Sequence, residues 1–373
     1  MTIKNIPVGY KDSPLGIIPM EWEVKRLGDI CTYFKSGKSI TSSNLNNDGC
    51  YPVYGGNGLR GFSCDYTHDG TYILIGRQGA LCGNINYVEG KNYISEHAIA
   101  VQSRENMLWL KYKLEYWNLN RYSESSAQPG LSVEKLVRYK LTLPPLAEQE
   151  KIAEILSTWD KAIEKQTQLI QKLELRKKGL MQQLLTAKRR LPGFSDPWKE
   201  LKIRDIAKIR KGEQVNKEDL FSNAKYPVIN GGITPSGYLD IYNTTANTIT
   251  ISEGGNSCGY VNFMTTPFWS GGHCYTIDVK DGINNLFVYQ LLKHNEKYIM
   301  SLRVGSGLPN IQVKDFGNLK LAVPNNQEQT AIAQVLTAAD REIELAQQKL
   351  ELLRQQKRGL MQQLLTGKKR VKY

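Results

Sequence analysis

The 373-residue chain has no apolar run approaching the ~18 residues that a membrane span needs, and Met1 to Pro7 lack the apolar stretch of a signal peptide. Its six cysteines, Cys31, Cys50, Cys64, Cys82, Cys258 and Cys274, include no C-x-x-C pair. Neither a metal site nor a disulfide framework is therefore expected, and a reducing, cytoplasmic setting fits. No G-x-x-x-x-G-K-[ST] phosphate loop is present: the nearest trace, Gly37-Lys38-Ser39, has Thr32 where the first glycine belongs. An Asn/Asp-Pro-Pro-aromatic motif for amino-methylation is also missing, since Pro144-Pro145 lies between Leu143 and Leu146. A nuclease or methyltransferase would need a carboxylate cluster or a cofactor loop that these residues do not offer, so no catalytic residue and no cofactor of its own are expected.

Acidic residues are outnumbered 36 to 49 by Lys and Arg, giving a formal charge of +13 and a partner that is expected to be polyanionic. Residues 1–143 carry 16 basic and 13 acidic groups, and 191–322 carry 14 and 12. Segments 144–190 and 323–373 hold 10 against 6 and 9 against 5, or +4 each, partly in the runs Lys188-Arg189-Arg190 and Lys368-Lys369-Arg370. The near-neutral remainder can select a sequence but should not grip duplex DNA strongly alone, because bulk affinity comes from phosphate neutralisation.

What the chain does have is a repeat. GLMQQLLT occurs at Gly179–Thr186 and again at Gly359–Thr366, and over 143–186 against 323–366 a gapless offset of 180 gives 20 identities in 44 positions. Each copy opens after proline (Pro144-Pro145, Pro324), has Glu-Gln in its first turn, and runs without Gly or Pro to Gly179 or Gly359. Ile152, Leu156, Trp159, Ile163, Ile170, Leu173, Leu180 and Leu184 step by 4 and 3 with gaps at Gln166 and Lys177; Ile332, Leu336, Ala339, Ile343, Ala346, Leu350, Leu353, Leu360 and Leu364 do the same in the second copy. This is a coiled-coil seam of period 3.5.

The regions before each helix repeat less closely. Trp22 and Asp29-Ile30 answer Trp198 and Asp205-Ile206; Tyr51-Pro52-Val53 answers Tyr226-Pro227-Val228; Cys82-Gly83 answers Cys258-Gly259; His97 answers His273. Short β-rich runs (Tyr72–Ile75, Asn84–Val88, Thr248–Ile251, Tyr260–Phe263) punctuated by Gly, Asn, Ser and Tyr precede helical stretches at 105–119 and 284–301. The expected fold is α+β. Two homologous domains, 1–143 and 188–323, are joined by two long helices, 144–187 and 324–373, the latter ending in a basic tail.

A 44-residue helix is about 66 Å long, and the roughly ten residues near 187–197 reach only about 33–36 Å. If the two helices pack within one chain they must therefore be antiparallel, in a pseudo-twofold arrangement. Two similar modules on a rigid spacer suit a duplex with two half-sites at a fixed separation. Four residues added to the central helix, ~6 Å, should lengthen the preferred gap by about two base-pair steps at ~3.4 Å each.

The whole chain resembles the specificity subunit of type I restriction–modification enzymes. The resemblance rests on PPLAEQEKIAEILSTWDKAIE and PNNQEQTAIAQVLTAADREIE with their GLMQQLLT endings, on Ile18-Pro19, Trp22 and Arg26-Leu27-Gly28-Asp29-Ile30, and on ILIGRQGALCGNI at 73–85. It implies a non-catalytic subunit that binds a bipartite double-stranded DNA target. Two modification subunits would methylate adenine with S-adenosylmethionine, and restriction subunits would translocate and cleave DNA with ATP and magnesium. A coiled-coil scaffold whose paired domains bind protein or glycan is the alternative, and the basic charge speaks against it.

Base readout needs fixed donor and acceptor forks, chiefly Arg for guanine and Asn or Gln for adenine, with aromatics against bases or sugars. The Gly-rich loops offer Tyr54, Asn57, Arg60, Arg77, Gln78, Arg121 and Gln128 in the first domain, and Asn230, Ser236, Tyr238, Asn256, Trp269, Arg303 and Ser306 in the second. The duplicated His97 and His273 suit a structural role or a base contact better than acid–base catalysis. Gly179 and Gly359 interrupt strong helical sequence, where Gly costs roughly 1 kcal/mol against Ala. They are expected to permit close backbone approach, either between the helices or to a docked subunit, with Gln182, Gln183, Gln362 and Gln363 on the docking face.

Overall fold

A computed structural model describes residues 6–79, 81–123, 130–305 and 309–372. The chain divides into two compact units, one of residues 1–167 with 349–373 and the other of 168–348. Each unit holds one α+β domain, the start of the helix that leaves it and the end of the other long helix.

In the first unit a four-stranded antiparallel sheet is ordered Cys31–Ser36, Ala98–Ser103, Tyr72–Gly76, Ile85–Val88. The central strand YILIG is buried at every position because both of its faces are covered. Alternation along the strand sends Ile73 and Ile75 to one side and Tyr72 and Leu74 to the other. The first side packs with Trp109, Leu110 and Leu114 of helix Met107–Trp117. The second packs with Ile94, Ala98 and Ala100 towards a three-stranded sheet of Gly58–Ser63, Tyr51–Gly55 and Tyr93–Ile94. Asn106 caps the helix by accepting from Trp109 N at 2.9 Å.

The second unit repeats this order. Its four-stranded sheet runs Ala207–Lys211, Cys274–Val279, Thr248–Ser252, Val261–Met264, and its three-stranded sheet Gly237–Leu239, Tyr226–Ile229, Trp269–Ser270. Asn284 caps helix Asn285–His294 through Phe287 N, again at 2.9 Å. The duplication weakly legible in sequence thus extends to the strand order of both sheets.

The two long helices are Leu146–Leu184 and Asn326–Leu364, each of 39 residues. Within each unit they pack antiparallel. In the first unit Asp160 meets Lys357 at 2.6 Å; in the second Lys177 meets Asp340. These pairs explain the seam gap at Lys177: its ammonium, like that of Lys357, lies in the seam against an aspartate that belongs to the other helix. The other gap, Gln166, is buried in the seam as well. Burial opposes ionisation of Asp160, but hydrogen bonds from Lys357 and Tyr112 outweigh it and hold the carboxyl below its usual value.

Each helix also starts inside its domain core. Glu148 is fully buried, accepting from Trp22 Nε1 at 2.8 Å and from Arg370 Nε at 2.7 Å. Glu328 repeats this with Trp198 Nε1 at 3.1 Å and Arg190 Nε at 2.5 Å. The basic runs are therefore not wholly available to a polyanion: the last arginine of each is taken up by a buried glutamate of its own unit, while Lys188, Arg189, Lys368 and Lys369 remain exposed. Gly367, at φ +72°, leaves the distal helix in the left-handed region, and a Cβ there would come within 2.5 Å of Pro19 Cδ.

Candidate nucleic-acid interface

In the first unit the turn Gly56-Asn57 joins two strands of the three-stranded sheet and lies on the end of strand Tyr72–Gly76. A Cβ on Gly76 would sit 2.4 Å from Gly56 O, so only glycine allows the two backbones to meet. That contact brings Asn57, Arg60, Gln78 and His97 around one cavity of about 190 Å³. Gln78 Oε1 lies 3.1 Å from His97 Nδ1. Gln78 and Arg77 also line a second cavity of about 540 Å³ with Ser36 and residues 130–134, where Leu131 N donates to Arg77 O at 2.9 Å.

Four sequence-expected residues, Asn57, Arg60, Arg77 and Gln78, thus come together. Tyr54 stands behind them, half-buried against the Ile94 cluster. Arg121 is elsewhere: it donates to Tyr122 Oη at 2.6 Å, stacks over that ring, and lines a separate aromatic groove of about 970 Å³ with Tyr10, Lys113 and Trp117. Gln128 lies outside the described residues.

In the second unit Asn230 Oδ1 accepts from His273 N at 3.0 Å, so that amide oxygen serves the loop itself. Asn256 and Ser236 are exposed on loops; Tyr238 is half-buried in strand Gly237–Leu239. Trp269 donates its Nε1 to Glu213 O at 3.1 Å. Arg303 is exposed beside Val304, which pairs with Asn310, and Asn310 in turn pairs with Gly254. Ser306 lies outside the described residues.

Sequence reasoning passed over a charged group beside His273. Glu253 Oε1 accepts from Lys211 Nζ at 2.6 Å and Tyr275 Oη at 2.7 Å, and its Oε2 lies 3.4 Å from His273 Nδ1. Burial alone would raise the Glu253 pKa; the hydrogen bonds from Lys211 and Tyr275 and the charge of Lys211 reverse this and lower it. Burial, reinforced by the Glu253 carboxylate, pushes the Tyr275 phenol up. The duplicated histidines were the available signal, because whatever faces them faces the loop site. Cys82 and Cys258 are buried, and desolvation raises both thiols, which suits packing rather than reactivity. Among the described residues no cluster of three His, Cys, Asp or Glu could hold a metal, and no helix is long and apolar enough to cross a membrane.

On the long helices, a Cβ added to Gly179 or Gly359 would meet nothing within 4 Å. The expectation that they let the helices approach closely is therefore incorrect: the space over each is open. Gln182, Gln183, Gln362 and Gln363 are exposed.

A family described as the type I restriction modification DNA specificity domain matches twice, over residues 19–175 and 195–355. The chain belongs to this family. It is 42% identical over 159 residues to the type I restriction enzyme EcoprrI specificity subunit of Escherichia coli, an alignment covering 40% of this chain and 39% of that protein. Identity to the MjaVIII specificity subunit of Methanocaldococcus jannaschii is 25%, over 95% of this chain and 94% of the other. The fold is that of the S subunit of a type I restriction-modification system from M. genitalium, with a TM-score of 0.70 at 18% identity over 92% of this chain and 96% of that one. The two family matches correspond to the two repeats of domain and helix.

Proposed function

We propose that this chain selects the DNA sequence for a type I restriction–modification complex. Each domain reads one half of a bipartite duplex target through its loop cluster, and the paired helices set the number of base pairs between the halves. The chain performs no catalysis. Modification subunits, carrying S-adenosylmethionine, methylate adenine in each half, and restriction subunits supply ATP-driven translocation and cleavage.

The observation that carries this reading is the convergence of Asn57, Arg60, Arg77 and Gln78 on adjoining cavities, at a loop cluster that recurs in the second domain with different side chains. One scaffold with divergent donors and acceptors is what reading two unlike half-sites requires. The domains themselves carry only +3 and +2, so the wider clamp on phosphates falls to partner subunits. Docking is assigned to the exposed face around Gly179, Gln182 and Gln183 and its repeat at Gly359, Gln362 and Gln363, where open space over each glycine leaves room for a partner's backbone.

Methylome sequencing of cells expressing the chain with its modification subunit, against cells lacking the chain, tests the proposal. A split motif methylated in both halves, and dependent on this chain, is expected. Methylation that persists without the chain refutes it.

A further inference from the structure

Backbone hydrogen bonds identify one position in the two loop sites that is topologically the same and chemically opposite. In the first domain Arg77 N donates to His97 O at 2.9 Å, and Arg77 O accepts from Leu131 N at 2.9 Å. In the second, Glu253 N donates to His273 O and Glu253 O accepts from Ile311 N, both at 2.9 Å. The strand pairing agrees, since Ile99 opposes Ser36 and Tyr275 opposes Lys211 in equivalent sheets. At this one backbone position the first domain therefore carries a guanidinium side chain, which only donates hydrogen bonds, and the second a carboxylate, which only accepts them.

We propose that this position is where the two half-sites are told apart, an inference that rests on the proposed reading of DNA by these loops. Arg77 presents a donor fork, whose match in the major groove is guanine through O6 and N7. Glu253 acts through His273. Its Oε1 is already engaged by Lys211 and Tyr275, while its Oε2 lacks a hydrogen-bond partner and lies 3.4 Å from His273 Nδ1. That geometry favours the tautomer with the proton on Nδ1, which leaves Nε2 as an acceptor on a side chain that is 60% exposed. An outward acceptor selects a base with an amino group on its major-groove edge, adenine or cytosine. His273 is thus the reader and Glu253 a positioning residue; in the first domain Arg77 is the reader. His97 is engaged differently, with Nδ1 3.1 Å from Gln78 Oε1 and Nε2 3.4 Å from Glu96 Oε1.

The test compares Glu253→Gln, His273→Ala and Arg77→Lys in the full chain assembled with its modification subunits. Arg77→Lys keeps the charge and loses the fork, and Glu253→Gln keeps the shape and loses the charge. Base preference is read by methylome sequencing. Complexes too weak to methylate are read by selection from a duplex pool randomised in each half-site. Glu253→Gln and His273→Ala are expected to relax one position of one half, and Arg77→Lys one position of the other half, each losing about 5- to 150-fold of preference. Unchanged preferences in both halves overturn the inference, as does relaxation of the same half by Arg77→Lys and Glu253→Gln. A wild-type complex with no split motif refutes instead the reading on which it rests.

Discussion

Arg370→Ala should destabilise the first unit far more than a surface arginine would. The Glu148 carboxylate is fully buried and receives hydrogen bonds only from Trp22 and Arg370 among the contacts resolved around it. Removing the guanidinium leaves a buried charge held by one indole N–H, a change of about 3–5 kcal/mol. The second contact of Arg370, to the exposed Glu21 at 2.7 Å, adds at most about 1 kcal/mol. Glu148→Gln keeps an acceptor for Trp22 and removes the charge, so in the double variant Arg370→Ala/Glu148→Gln no buried charge remains without its partner. The double variant should therefore recover about 2 kcal/mol relative to Arg370→Ala alone. Urea unfolding at pH 7 followed by tryptophan fluorescence measures both changes; at an m-value of about 1–3 kcal/mol/M the single variant shifts the midpoint by roughly 1 M or more. Arg190→Ala is the internal control, lowering the transition of the second unit through Glu328. A loss below about 0.5 kcal/mol for Arg370→Ala, or a double variant no more stable than the single one, would refute the reasoning.

Lys113 is buried with its Nζ on Thr142 Oγ1 at 2.8 Å and Leu365 O at 2.6 Å, and desolvation lowers its pKa to about 7. The folded value lies below the unfolded one of 10.5, so the unfolded chain binds the extra proton and stability should rise as pH increases from about 7 towards 10. Lys113→Met should abolish that rise and stabilise the first unit at pH 6 by about 1–4 kcal/mol, as read by denaturation across pH. Replacing Gly179 and Gly359 with Leu should raise helix stability by up to about 1 kcal/mol each while weakening capture of the modification subunit in pull-down. Unchanged assembly would remove the docking assignment. Seven residues inserted after both Thr167 and Gln347 preserve the 3.5-residue seam and add about 10.5 Å. The spacer of the methylated motif should then grow by about three base pairs at ~3.4 Å each; an unchanged spacer would count against the ruler.

The long helices were legible because periodicity is a local property that side chains at i, i+3 and i+4 display without reference to anything else. Even the two interruptions, Gln166 and Lys177, were visible as polar residues on an apolar stripe. Their partner was not: that Lys177 meets Asp340, and Lys357 meets Asp160, depends on which residues of another helix come opposite. The same limit applied to the basic runs, where a count of charges could not distinguish Lys369, exposed, from Arg370, paired with buried Glu148. For the glycines, one of the two expected alternatives, close approach between the helices, was not met. Their duplication implied a constraint, but whether a Cβ would strike a neighbouring helix is a question of distance, and it would not.

The 180-residue repeat and the heptad spacing were enough to determine the two domain–helix units and, for helices that pack within one chain, their antiparallel sense, because each follows from chain length and local pattern; the class of the protein came from the resemblance of its motifs to a known family. Tertiary structure assembled the candidate site. Arg77 and Gln78 come from one loop, Asn57 and Arg60 from a hairpin, His97 from a third turn, and only the close backbone contact of Gly56 with Gly76 gathers them. Arg121 has the right chemistry and is carried to a different groove. Glu253 drew no attention in the sequence, since an acidic residue in a Gly-rich loop is unremarkable until the fold sets it beside His273, Lys211 and Tyr275. Side chains far apart along a chain acquire a shared function only when nonlocal packing fixes the distances between them, and those distances are not encoded in any local window of sequence.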